Sequence, residues 1–106
     1  MLLSRRTTLA ALAFSLMAGS ALAADGTIKI GVNEPLTGPF AASGTYVVNG
    51  AKIAADEINA KGGILGKKVE LVIEDNKSNP TEAAAVAEKL ITSDKVPVLM
   101  GAWGSS

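Results

Sequence analysis

"KKVELVIEDNKSNPTEAAAVAEKLITSDKVPVLMG", Lys67 to Gly101, changes period twice. Lys67 to Asp75 reads as a strand bounded by polar residues. Past it, Asn79 is placed to cap a helix and Pro80 fits the first helical position, where a missing N–H is no loss. Glu82 stands where a capping-box carboxylate reaches back. Ala83, Val86, Ala87, Leu90 and Ile91 then recur at i, i+3, i+4, i+7 and i+8, the apolar stripe of an amphipathic helix. Val96 to Gly101 is an apolar run that predicts a strand buried on both faces. Strands joined through such a helix must run parallel, with a right-handed crossover.

Upstream the same order occurs once more. Thr27 to Asn33 alternates and is rich in β-branched residues, which predicts a first strand. "EPLTGPFAASG", Glu34 to Gly44, is a Pro/Gly/Ser/Thr loop. From Thr45 the period becomes helical, with Val47, Ala51, Ala54 and Ile58 on one stripe. Lys52, Asp56, Glu57 and Lys61 lie mostly on the other faces, and Gly62-Gly63 supplies the left-handed residue of a helix end. The order β-α-β-α-β is the start of a doubly wound parallel α/β sheet. Three strands and two helices make half of such a sheet, and the third strand needs a further helix to cover it. Roughly 80 residues bury too little surface for a self-sufficient core without a staple. The expectation is a fragment of a longer chain, with residues 24–106 forming an incomplete lobe.

The first 23 residues stand apart from this pattern. "MLLSRR" is a short basic segment, and Leu9 to Ala18 is an apolar core too short to span a bilayer. Ala21-Leu22-Ala23 fits the small-x-small rule of signal peptidase, which places cleavage between Ala23 and Ala24. Residues 1–23 therefore read as a signal peptide. "SRRTTLA" has the paired arginines of a twin-arginine export signal, and the Sec route fits equally well. With Ala24 rather than Cys after the cut, no lipoprotein anchor is expected, and the product is expected to be soluble in a Gram-negative periplasm.

The full chain carries 10 basic and 10 acidic residues, with no Cys and no His. Past residue 23 there remain 8 basic against 10 acidic residues, a net charge of −2, which does not favour nucleic acid or anionic lipid. Without Cys there is no disulfide, thiol nucleophile, iron–sulfur cluster or thiolate zinc site. Without His the commonest general base and metal ligand is missing. No cofactor is expected.

Open α/β sheets bind ligands outside the carboxyl ends of their strands. The loops at that edge are "EPLTGPFAASG", "NKSNP" and "AWGSS". Glycines let backbone amides approach a ligand, hydroxyls donate to carboxylate or amide oxygens, and helix-entry amides near Ser43 to Tyr46 add an anion site. Trp103 offers a broad apolar wall with one donor. The same residues also fit a plain surface turn with Ser106 capping a following helix. "GGILGKK" lacks P-loop spacing and precedes a strand, so it reads as a helix-to-strand turn. Gly31-Val32-Asn33-Glu34 replaces any dinucleotide fingerprint, and Trp103 breaks a nucleophile elbow around Ser105. Glu74 and Asp75 read as solvated strand-end carboxylates rather than a metal or acid–base pair, since adjacent strand residues point to opposite faces. Asn76-Lys77-Ser78 is a glycosylation sequon by chance.

Taken in line, "IKIGVNEPLTGPFAASG", "GAKIAADEINAKGGILGKKVELVIEDNKSNPTEAAAVAEKLI" and "VPVLMGAWGSS" resemble the periplasmic substrate-binding proteins of ABC importers, in the leucine/isoleucine/valine-binding branch of type I. The resemblance covers Thr27 to Ser106. It implies a type I periplasmic-binding-protein fold with two lobes and a hinge, of which this sequence holds only the start of the N-terminal lobe.

By that resemblance the function is capture of amino acids of branched-chain type, or related small carboxylate or amide solutes, without catalysis. The partners implied are the solute and an ABC permease in the inner membrane, with the binding protein a monomer and no nucleic acid involved. Ser105, flanked by Gly104 and Ser106, falls at the family's α-carboxylate clamp. Trp103 lines the pocket beside it, and Phe40 and Ser43 face the cleft from the first loop. Relatives often carry an aromatic where Ser43 stands, and commonly a smaller residue where Trp103 stands. The second exchange leaves room for an aromatic acid, amide or urea-like solute. The competing readings are a secreted α/β hydrolase, for which no nucleophile–base pair assembles, a ligand-sensing or amide-binding protein of the same fold, and a non-functional remnant.

Overall fold

A computed structural model of the chain describes residues 26–104. The expected signal peptide and cleavage site at Ala23 and Ala24 lie outside the described residues, as do Ser105 and Ser106. Five elements follow in order: β1 (Ile28–Glu34), α1 (Ala41–Ala60), β2 (Val69–Asp75), α2 (Pro80–Thr92) and β3 (Val98–Gly101). The sheet order is β2-β1-β3, and both pairings are parallel. β1 is thus the centre strand. Right-handed crossovers on both sides of it place α1 and α2 on opposite faces.

On the α2 face, Val86, Leu90 and Val96 form a buried cluster against which Val72 packs. On the other face, Val32 is fully buried, and α1 turns Val48 and Ala55 inward. The start of α1 differs from the sequence expectation. The helix begins at Ala41 rather than Thr45, so Ser43 and Gly44 are helical. Its buried stripe runs through Gly44, Val48 and Ala55, while Ala54 is exposed. The reason is one close approach: a Cβ at Gly44 would stand 1.8 Å from the Pro35 carbonyl oxygen. Docking of the helix on the β1 exit turns the stripe by one residue relative to the one expected. At the far end, Asn59 joins the helix to β2 by accepting the Val69 amide at 2.7 Å and donating to the Val69 carbonyl at 2.9 Å. Gly62 and Gly63 both take left-handed backbone angles after α1, as the sequence predicts.

Two further expectations are corrected. Asn79 does cap α2, accepting the amides of Thr81 and Glu82 at 2.8 and 3.2 Å. The capping box is not closed, because the Asn79 amide already donates to the Asn76 carbonyl at 3.1 Å. β3 is not buried on both faces: Val98 is 49% exposed and Leu99 36%. It is an edge strand paired only with β1 among the described residues. The upstream Val96, expected within it, belongs instead to the core cluster.

Candidate functional site at the carboxyl edge of the sheet

Three loops leave the carboxyl ends of the strands and are tied to one another before any ligand is considered. Asp75, the last residue of β2, accepts the Leu36 amide at 2.8 Å, the Thr37 hydroxyl at 2.7 Å and its own loop's Lys77 amide at 2.8 Å. Partial desolvation pushes the Asp75 carboxyl up. The hydrogen bonds from Leu36, Thr37 and Lys77 together outweigh it and hold the group below its ordinary value of 3.8. Ser78 adds a second tie, donating its hydroxyl to the Thr37 carbonyl at 2.7 Å and accepting the Phe40 amide at 3.1 Å. Lys77 and Ser78 both sit at φ +57°, a left-handed conformation uncommon for residues with a Cβ. These bonds hold them there.

Beneath the loops runs a chain of buried amides. Asn76 donates to the Asn33 side-chain oxygen at 3.1 Å, and Asn33 in turn donates to the Ala83 carbonyl at 2.9 Å. The Asn76 side-chain oxygen accepts the Ser78 amide at 3.1 Å. Asn76 is only 3% exposed, so the sequon it heads is closed to a modifying enzyme.

Above that floor lies an open cavity of about 110 Å³. Its apolar wall comes from Phe40, Pro80, Ala83 and Trp103, and its polar floor from Asn76, Ser78 and Asn79. Gly104 and Ala102 complete it. Complete small-molecule sites span about 300–1,000 Å³, so the cavity has the dimensions of one side of a site. The Phe40 and Trp103 rings meet at 5.3 Å between centroids and 58° between planes, a tilted pair within the favourable range. Among the described residues, none that lines the cavity carries an ionisable side chain. No group of metal-ligating side chains forms among the described residues. Glu34 ends β1 with its side chain 2% exposed and accepts the Trp103 amide at 3.0 Å.

Residues 27–106 match the periplasmic binding protein family. The chain belongs to that family. Among curated relatives it is 48% identical to the Leu/Ile/Val-binding protein BraC3 of Rhizobium johnstonii, over 79% of this chain and 23% of that protein. It is 43% identical to the Leu/Ile/Val-binding protein of Escherichia coli K12, over 91% of this chain and 24% of that one. Among solved structures it resembles the branched-chain amino acid substrate-binding protein LivJ of Streptococcus pneumoniae in complex with isoleucine. That match has TM-score 0.70 and 52% identity, covering 71% of this chain and 22% of LivJ. The leucine-binding protein LivK of Thermotoga maritima matches with TM-score 0.65 and 41% identity, over 71% of this chain and 21% of that one. The chain spans about a quarter of the length of the relatives it matches. Its sheet is that of type I periplasmic binding proteins.

In this periplasmic binding protein the structure brings Phe40, Trp103 and Gly104 to one cavity from opposite ends of the sequence. Ser43 is not among the residues lining it, because the early start of α1 puts it inside the helix. Ser105 and Ser106 lie outside the described residues. Sequence reasoning assigned no role to Glu34 or Asn33, took Asp75 for a solvated strand-end carboxylate and took Asn76 only for the head of a sequon, yet these groups shape the edge from below. The one available signal was a cluster of short polar side chains at the ends of adjacent parallel strands, where ladders stop and backbone groups need other partners.

Proposed function

We propose that this chain carries part of the solute-capturing component of an ABC importer, a binding protein without catalytic activity that takes up amino acids of branched-chain type or related small carboxylate or amide solutes. What supports the reading most is the convergence of Phe40 and Trp103 on an uncharged cavity at the carboxyl edge of the sheet, in a chain whose relatives are named for leucine, isoleucine and valine binding. In this reading Ser105, with the amides of Gly104 and Ser106, clamps the solute carboxylate, and Ser43 flanks the cleft from α1. The aromatic pair forms the wall facing the solute side chain. Residues 1–23 direct export by the Sec or twin-arginine route and are removed between Ala23 and Ala24, releasing a monomer into the periplasm. There the protein delivers its solute to a permease in the inner membrane.

The cavity is one side of a site, so the test uses the complete mature protein. Calorimetric titration with branched-chain and aromatic amino acids, and with small amides, is expected to give saturable one-to-one binding to at least one of them and no chemical change in the solute. Absence of binding across the set, or turnover of any amide, overturns the proposal.

A further inference from the structure

We propose that Glu34 is a positioning residue of the cleft: its carboxyl group, reaching from the end of the centre strand, fixes the backbone at Trp103 and so holds the indole against Phe40 as a wall of the solute site. The proposal rests on the reading of this cavity as the solute site.

A glutamate at a strand end ordinarily extends into water. Glu34 does not, being 2% exposed while the aromatic residues it serves are 43% (Phe40) and 45% (Trp103) exposed. A polar side chain removed from water needs hydrogen-bond partners there, and one is the Trp103 amide at 3.0 Å. A second observation points the same way. Gly101, just before the loop, has φ +114°, and a Cβ there would stand 2.1 Å from the Asn33 carbonyl and 3.0 Å from Glu34 Oε1. The strand is bare at the place where the carboxyl group passes. No Lys forms an ion pair with Glu34 among the described residues, so its contact with the loop backbone is not an accessory of a salt bridge.

This bond divides the third loop by task. The Trp103 amide points inward to Glu34 and is not a donor for a solute carboxylate, which leaves that role to later amides. The Trp103 ring faces outward, and its tilt on Phe40 follows from where its backbone is held. Since Phe40 is itself held through its amide by Ser78, both rings of the pair are fixed by buried or half-buried side chains from neighbouring strands' ends.

The test has one arm without solute and one with it, both on the complete protein. In the first, exchange of the Trp103 backbone amide with solvent is followed by NMR. It is expected to be slow in the native protein and in E34Q, which keeps an accepting oxygen, and fast in E34M, which keeps the volume without the acceptor. A freely exchanging Trp103 amide in the native protein overturns the proposal whether or not either variant folds. In the second arm, a double-mutant cycle joins E34M and W103A. Each alone is expected to weaken solute binding, and the double variant to be no weaker than W103A. Additive losses overturn the proposal. If the native protein binds no solute, the functional reading falls while the exchange arm still decides the role of Glu34.

Discussion

Asp75 holds Thr37 from two sides, accepting its hydroxyl at 2.7 Å and its backbone amide at 3.3 Å. The first loop is thereby fastened to the end of the neighbouring strand, and the fastening depends on charge. Because the folded carboxyl ionises below its ordinary 3.8, the ionised form favours the folded state. The stability it contributes is fully present above the unfolded value and is lost as pH falls through the folded one. Unfolding free energy measured by denaturant from pH 5 down to pH 2 is expected to drop more steeply in the native protein than in Asp75→Asn. Superimposable pH profiles would remove Asp75 from this role.

Two glycines on one helix predict opposite outcomes. Ala at Gly44 meets the Pro35 carbonyl, with the new Cβ 1.8 Å away, whereas a Cβ at Gly50 meets nothing within 4 Å. Gly44→Ala is expected to destabilise by about 1–3 kcal/mol or more through overpacking. Gly50→Ala is expected to stabilise by up to about 1 kcal/mol from helix propensity. Thermal unfolding of the two variants side by side checks both signs.

Asn59 replaces a missing strand partner for Val69, with bonds of 2.7 and 2.9 Å to its amide and carbonyl. Asn59→Ala leaves both backbone groups of a buried residue short of their partner, at an expected cost of about 1–3 kcal/mol. Amide exchange at Val69 should accelerate in that variant. An unchanged rate would mean that the side chain contributes packing only.

For the proposed carboxylate clamp, Ser105→Ala in the complete protein should weaken solute binding by about 5- to 150-fold, the equivalent of about 1–3 kcal/mol for a charged group left short of a hydrogen bond. Equal affinity of variant and native protein in a calorimetric titration would exclude Ser105 from the clamp.

The parallel β-α-β-α-β order was legible because strand and helix periods alternate with sharp boundaries at Asn79-Pro80 and Gly62-Gly63. These are local chemistry, and the structure keeps them. The start of α1 was not legible. "AASG" has no side chain that caps, and Phe40 before it makes no capping bond, so only docking of Gly44 on Pro35 tells that the helix begins there. Asp75 reads as a solvated carboxylate, and Glu34 as no more than a loop-flanking residue, for the same reason: their partners lie 38 to 39 and 69 positions away in the chain. Phe40 and Trp103 were legible as candidates, one by one, from the position of their loops at the sheet edge. Their contact required the strand order β2-β1-β3, which sets the first and third loops side by side.

The central claim is that the solute sits against the paired aromatics at the carboxyl edge of this sheet. Its most direct test is an NMR titration of the isotopically labelled complete protein with the solute it binds best. The account predicts that the amides of Phe40, Trp103 and Gly104 shift on saturation, together with that of Ser105, while those of the distant Ile64–Lys67 turn stay in place. Saturation with Phe40, Trp103 and Gly104 unmoved would contradict it.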